Sequence, residues 1–328
     1  MDEFALIRRY FAPLSPAAEG VVLGIGDDAA ILAPPVGYEL LMTSDTLVAG
    51  RHFPLATAPY DIGWKALAVN LSDLAAMGAE PLWFLLALTL PQPDEAWLAG
   101  FADGLGTLAR RHGISLVGGD TTRGYLSITI TAVGSVPASA ALRRDGARPG
   151  DLVCVTGTLG DAALGLRLNG FESRAPCAQS EHDLPALRAR LDRPTPRIEA
   201  GLALRGFASA AIDLSDGLAG DLGHVLAASG VGADLRADAL PMSEAFSRQA
   251  EAGDRLSLQA AGGDDYELCV CLPPDRLAAA RAAIAPLPLT VIGTISAELG
   301  LRWHAADSTP LNPELHSYQH FDDRRQAP

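Results

Sequence analysis

Basic residues are in short supply in this sequence: 25 Lys and Arg stand against 39 Asp and Glu, a formal charge of −14. That balance excludes nucleic acid and anionic membrane as partners, because both are held by neutralising phosphates with cations. Long hydrophobic runs are missing too. The longest, such as Trp83 to Leu90, are too short to cross a bilayer. Met1-Asp2-Glu3 has no basic start and no apolar stretch, so no secretory signal is read there and a cytoplasmic chain is expected. Cysteine is scarce. Cys154, Cys177, Cys269 and Cys271 include no C-x-x-C pair, and Cys269 and Cys271 alternate on one face of an apolar run. Buried free thiols are the expectation, without zinc or disulfide.

The familiar nucleotide signatures are absent as well. No G-x-x-x-x-G-K-[ST] occurs, which excludes a P-loop enzyme. Gly24-Ile25-Gly26 lacks the third glycine of the dinucleotide fingerprint and runs into Asp27-Asp28, which would repel a pyrophosphate. The protein-kinase motif set is missing. A nucleotide enzyme built from these residues needs another fold.

What is present is a chain of 328 residues, 48% hydrophobic and 20% charged, the composition of a packed globular protein long enough for two domains. Glu39 to Ser44 reads as a strand that delivers Asp45 at its end. Asp61 to Met77 has helical spacing and stops at Gly78. Trp83 to Leu90 reads as a strand and Asp94 to His112 as a helix ending before Gly113. Ile114 to Val117 leads into Gly118-Gly119-Asp120, and Tyr125 to Val136 alternates as a further strand. A turn-rich stretch, Ala147-Arg148-Pro149-Gly150-Asp151, separates residues 1–147 from 148–328. The second half restarts the mixed pattern with strands at Leu152 to Thr156, Ala210 to Ile212, Tyr266 to Leu272 and Leu289 to Ile295. Its helices are expected at Leu159 to Leu168 and Leu218 to Ser229, and Asn169 to Asp183 as a polar surface loop. Two α/β domains follow.

The acids stand in unusual company. Asp27 and Asp28 follow Gly24-Ile25-Gly26, Asp45 follows an apolar strand, and Asp73 lies inside a predicted helix. Asp120 follows two glycines, and Asp213 and Asp216 flank Leu214-Ser215. A carboxylate among apolar neighbours is costly to bury unless paired or bound to a metal. Magnesium prefers carboxylate and water oxygens and is commonly shared with substrate phosphates, and nearby glycines let backbone N–H groups approach a phosphate. Taken singly, each Asp reads equally as a helix cap or turn former. Asp73 resists that reading, because caps belong at helix ends.

Five segments, in order, resemble the thiamine-monophosphate kinase family: Gly24 to Ala29, Ser44 to Phe53, Lys65 to Gly78, Gly118 to Thr122 and Ile212 to Leu218. The likeness runs from near Phe4 to Tyr318-Gln319-His320-Phe321. It implies the two-domain α/β fold, with mixed sheets, of aminoimidazole ribonucleotide synthetase and selenophosphate synthetase, whose N-terminal domains form a dimeric barrel. It also implies ATP as co-substrate, several Mg2+ ions, and phosphorylation of thiamine monophosphate to thiamine diphosphate by direct in-line phosphoryl transfer, without a catalytic base or nucleophile. By position, Asp28, Thr43, Ser44, Asp45, Asp73, Asp120, Asp213 and Asp216 match the family's magnesium ligands. Gly119, Asp120, Arg144 and Ser215 match its nucleotide contacts. His52, Asp264 and Tyr318 match its substrate contacts, with Asp264 standing where the family carries Glu. Two other readings stay open: another ATP-dependent synthetase or dehydratase of the same superfamily, and a non-catalytic binding module. Selenophosphate synthetase itself needs a reactive Cys or selenocysteine near the N-terminal glycines, whereas the first cysteine here is Cys154.

Overall fold

The computed structural model describes residues 3–15, 18–168 and 183–315. In chain order its elements are α1 (Glu3–Leu6), β1 (Val21–Leu23), β2 (Ile31–Leu32), β3 (Tyr38–Val48), α2 (Pro59–Ala76), β4 (Glu80–Leu90), α3 (Glu95–His112), β5 (Ser115–Arg123) and β6 (Ser127–Pro137). Next come β7 (Leu152–Thr156), α4 (Asp161–Leu168), α5 (Leu184–Asp192), α6 (Ile198–Leu204), β8 (Ala210–Asp213), α7 (Leu218–Ser229) and β9 (Gly232–Arg236). The chain closes with α8 (Glu244–Gln249), α9 (Arg255–Ala261), β10 (Leu268–Leu272), α10 (Leu277–Ala283), β11 (Leu289–Ser296), β12 (Gly300–His304) and β13 (Pro310–Leu311). These elements form two compact units. One is Met1–Ala141 with Asp192–Arg205, the other Leu142–Leu191 with Gly206–Pro328. Both are α/β with mixed sheets.

The first unit is built on a four-stranded sheet ordered β3-β6-β4-β5. Its strands pair antiparallel except β4 and β5, which run parallel with α3 as their crossover. Side chains alternate between the faces of a strand, and here the two faces differ. Phe84, Leu86, Leu88, Ile128, Ile130 and Ala132 are buried on the inner face, where α2 and α3 pack. From Ile62 to Ala76 every residue of α2 is buried except Asp73, which is half-buried. A helix apolar all round belongs in a core, so this one acid marks a local opening. Asp94 starts α3 by accepting hydrogen bonds from the backbone N–H groups of Ala96 and Trp97 at 2.9 and 3.0 Å. Segment 192–205 joins this unit through α2. Trp64 Nε1 donates to the Pro194 carbonyl at 2.8 Å, and Arg193 lies 3.4 Å from Asp61.

Two strands run further than the sequence suggested. β3 continues to Val48 instead of ending at Asp45, and β5 passes through Gly118-Gly119-Asp120 to Arg123. In each case the neighbouring strand carries the ladder on: Asp45 pairs with Ile130, and Asp120 with Ala87, the latter beyond an irregularity between Phe84 and Leu85. Backbone pairing overrides the local turn signal of the glycines.

The second unit holds a seven-stranded sheet ordered β13-β12-β9-β11-β7-β10-β8. β12 runs parallel to β9, and the remaining pairs are antiparallel. Its core gathers Val153, Val155, Ile212, Leu214, Leu218, Leu222, Ile292 and Trp303. Cys154, Cys269 and Cys271 are buried free thiols in the central strands, and burial pushes the Cys154 thiol up to about 12, which keeps it protonated and unreactive. Cys177 lies outside the described residues, as does the expected loop up to residue 182.

Candidate functional site

In the first unit, Thr43 and Asp45 share the inner face of β3 because they are two residues apart. Thr43 Oγ1 donates a hydrogen bond to Asp73 Oδ2 across to α2. The sheet edge therefore gathers Thr43, Asp45 and Asp73 where the core opens. Asn70, one helical turn before Asp73, is fully buried. Its side-chain nitrogen donates to the Ala66 carbonyl at 3.1 Å, while its Oδ1 has no hydrogen-bond partner among the described residues.

Ser44 points the other way. Its hydroxyl sits 2.9 Å from that of Thr131 on the outer face, and the next pair on that face, Thr46 and Thr129, is 2.8 Å apart. Asp120 shares this outer face through the row Thr46, Thr129, Ala87, Asp120. Three strand spacings separate β3 from β5, about 14 Å of sheet width. The sheet thus does not bring Asp120 to Asp45 within one chain. Gly119 has φ +146, and a Cβ there would lie 1.9 Å from the Leu86 carbonyl oxygen, so only glycine lets the two strands approach at this point. Asp28 is exposed in the turn between β1 and β2, its N–H donating to Asp27 Oδ1 at 2.8 Å. His52 follows β3 in a turn where its Nδ1 accepts from the Val48 N–H at 3.0 Å. In the neutral ring that acceptor leaves the proton on Nε2.

In the second unit, Asp213 ends β8 and is buried. The following residues run beside the segment that enters β10. Leu214 N–H donates to the Glu267 carbonyl at 2.9 Å, Tyr266 N–H to the Leu214 carbonyl at 2.8 Å, and Asp264 N–H to the Ser215 carbonyl at 2.8 Å. Asp213, Ser215, Asp216 and Asp264 are brought together by this pairing. Gly263, Asp264 and Tyr266 have φ of +73, +61 and +49, a left-handed run that costs about 1 kcal/mol or more at each non-glycine. Arg143 is engaged in a fork by Asp145, at 2.9 and 2.7 Å. Arg144 beside it is exposed, with its carbonyl accepting from Ser229 Oγ at 2.9 Å. Tyr318 lies outside the described residues.

One acid at this site escaped the sequence reading. Asp221, in the first turn of α7, is buried and its Oδ2 accepts from the N–H groups of both Asp216 and Gly217 at 3.1 Å. Burial, with the neighbouring Asp216 second, pushes its carboxyl up to about 7. Its position four residues after Gly217 was the available signal, since a first-turn acid complements the helix dipole.

The donors on offer to an ion are carboxylate and hydroxyl oxygens. Among the described residues no three Asp, Glu, His or Cys side chains come close enough to hold a metal by themselves. Oxygen donors of this kind suit a hard cation such as magnesium, which takes one or two carboxylates and completes its shell with water and phosphate.

Comparison with known proteins follows the same division of the chain. Residues 26–136 match the family model of the AIR synthase related protein, N-terminal domain, and residues 148–304 that of its C-terminal domain. Thiamine-monophosphate kinase of Salmonella typhimurium is 49% identical over 322 residues, covering 97% of this chain and 98% of the relative. The crystal structure of thiamine-monophosphate kinase from Stenotrophomonas maltophilia is also 49% identical, with a TM-score of 0.85 over 93% of this chain and 97% of the other. AaThiL complexed with AMPPCP and TMP is 31% identical and superposes with a TM-score of 0.77 over 97% of both chains. The chain belongs to the thiamine-monophosphate kinase family, within the AIR synthase related fold.

Proposed function

We propose that this chain transfers the γ-phosphoryl group of ATP directly to the phosphate of thiamine monophosphate, giving ADP and thiamine diphosphate. The observation that carries this reading is the likeness to AaThiL complexed with AMPPCP and TMP, which spans 97% of both chains. Asp28, Thr43, Ser44, Asp45, Asp73, Asp120, Asp213 and Asp216 are the proposed magnesium ligands. Gly119, Asp120, Arg144 and Ser215 are the proposed nucleotide contacts, and His52, Asp264 and Tyr318 the proposed substrate contacts.

The acceptor is a phosphate monoester with a second pKa of about 6, so its oxygens are already ionised at neutral pH. No general base is required, and no side chain is assigned that role. The difficulty is to bring two polyanions together, and bound magnesium would supply charge neutralisation and stabilise the spreading charge of the transition state. The residues of the chain do the positioning. Thr43 fixes the Asp73 carboxylate through its hydroxyl. Gly119 keeps the backbone flat enough for close approach. Asp264 is one carbon shorter than the family's Glu, which leaves room for a bridging water.

A homodimer completes the proposal. Leu40, Met42 and Leu85 are 45%, 69% and 41% exposed on the outer face of the first unit's sheet, an apolar patch of the kind that marks a protein interface. Placing a charge there, as in Met42→Glu, is expected to turn the dimer into monomer by light scattering; an unchanged mass would remove this face from the interface. No described helix is long and apolar enough to cross a membrane, and the charge of −14 supports action in the cytoplasm, away from nucleic acid.

The test of function is direct. Purified chain with ATP, magnesium and thiamine monophosphate should yield equal amounts of ADP and thiamine diphosphate, and a chelator should stop the reaction. ADP release without thiamine diphosphate, or a phosphate trapped on the protein from ATP alone, would overturn direct transfer.

A further inference from the structure

Behind the left-handed segment 263–266 lies a buried charge cluster that the proposed reaction does not use. Asp161, Asp265 and Glu267 are 2%, 1% and 0% exposed. The guanidinium of Arg190 on α5 faces all three. Its Nη2 donates to the Asp265 carbonyl at 3.1 Å and to Glu267 Oε1 at 2.9 Å, and its Nε lies 4.0 Å from Asp161 Oδ2. The other Glu267 oxygen accepts from Thr156 Oγ1 at 2.7 Å, and Thr156 Oγ1 in turn accepts from the Leu268 N–H at 2.9 Å. Asp265 Oδ1 accepts from the Gly160 N–H at 2.9 Å. The fit leaves no slack: a Cβ on Gly157 would fall 2.2 Å from Glu267 Oε1.

Every one of these bonds ends on residues 265–268, the stretch that fixes where the left-handed turn begins and ends. Asp264 and Tyr266 occupy backbone conformations that side-chain-bearing residues avoid unless the surroundings hold them there. Backbone bonds from Asp264 and Tyr266 to Ser215 and Leu214 then pass that placement on to the loop 213–216. One guanidinium nitrogen, Nη2, donates to a backbone carbonyl and a carboxylate at once, and the planar group fixes the direction of both N–H bonds, which sets the position of both acceptors.

We propose that Arg190 is a positioning residue for the phosphoryl-transfer site: by gripping the Asp265 carbonyl and the Glu267 carboxylate together, it sets segment 264–267 against loop 213–216 and so places Asp264, Ser215 and Asp216. It touches neither substrate. This rests on the assignment of residues 213–216 and 264 to the site made above.

Two variants of the full chain test it, Arg190→Gln and Arg190→Lys, each measured for hydrogen exchange, steady-state kinetics and thermal midpoint. Exchange at the Asp264 and Tyr266 amides needs no turnover and reads the placement alone. It should speed up about tenfold or more in Arg190→Gln, because the bonds to Ser215 and Leu214 are then released to local opening. The value of kcat/KM for thiamine monophosphate should fall about ten- to a hundredfold, the cost of a site misplaced by about an ångström. Arg190→Lys keeps the charge and should recover only part of this loss, since its ammonium stops one atom short of the Nη2 position and its N–H groups are not held in fixed directions. If Arg190→Gln does not fold, the same readouts on Arg190→Lys decide. A lower thermal midpoint with unchanged amide exchange and unchanged kcat/KM would overturn the inference and leave Arg190 a purely stabilising ion. Exchange that quickens in Arg190→Gln while the wild-type chain itself shows no kinase activity would uphold the clamp and sink the function reading instead.

Discussion

Two groups of acidic side chains, one in each unit, are used in opposite ways. In the first, Asp28 and Asp120 are exposed and Asp45 and Asp73 half-buried, at a sheet edge or in a turn where water and ions reach them. In the second, Asp161, Asp221, Asp265 and Glu267 are buried and already accept from N–H groups, hydroxyls or Arg190. A buried carboxylate is tolerated only when its charge is answered or removed. The second unit answers most of its acids with protein donors, and for Asp265 burial itself raises the carboxyl well above its usual range. The comparison teaches that acid content does not locate a metal site.

Substitutions should separate the two classes. The largest effect is expected for Asp45→Asn, which removes a proposed magnesium ligand and should cost about a thousandfold in turnover, several kcal/mol of transition-state stabilisation. Its thermal stability should stay within about 0.5 kcal/mol of wild type; rapid-quench assays and denaturant melts on one preparation check both. Glu267→Ala sharpens the contrast from the other side. It removes the carboxylate that Arg190 grips most closely and should lose about 3–5 kcal/mol of stability, seen as a lower urea midpoint. Near-wild-type stability would mean that the cluster is solvated.

Smaller effects serve as controls. Asp94→Ala removes the N-cap of α3 and should cost about 1 kcal/mol with kcat and KM unchanged. The smallest concerns His112, whose side chain is 1% exposed and 3.7 Å from Glu199. Burial, only partly opposed by Glu199, lowers its pKa below 6.5. The unfolded chain then takes up a proton near pH 6.5 that the folded chain refuses. Stability from this group is present above pH 6.5 and declines as the pH falls below it. Melts between pH 7.5 and 5.5 should show that slope, and His112→Gln should flatten it.

Much of the fold was legible because local signals and tertiary packing agree. β7 and α7 fall at the residues expected, 152–156 and 218–229. α3 begins at the Asp94 cap and ends at Gly113, which adopts φ +66. Asp73 stood out because it interrupts a helix that is otherwise buried. Elsewhere the decisive information was not local. The attachment of 192–205 to α2 rests on contacts such as Trp64 with Pro194, 130 residues apart in sequence. Thr43, Ser44 and Asp45 are consecutive in sequence, yet alternation sends the Ser44 side chain to the opposite face of the sheet, which the motif alone does not show. The left-handed turn at Asp264 and Tyr266 was hidden for another reason: Gly262-Gly263 announces a turn but not which later residues will be forced into it. Arg190 carries no motif at all.

The central claim is that the accessible acids of the first unit hold divalent ions for the reaction, whereas the buried cluster of Asp161, Asp265 and Glu267 in the second unit holds the protein together. Counting bound Mn2+ by electron paramagnetic resonance in the presence of ATP tests it most directly, on wild type, Asp45→Asn and Glu267→Gln. The account predicts fewer or weaker bound ions in Asp45→Asn and a wild-type count in Glu267→Gln. An undiminished count and affinity in Asp45→Asn would contradict it.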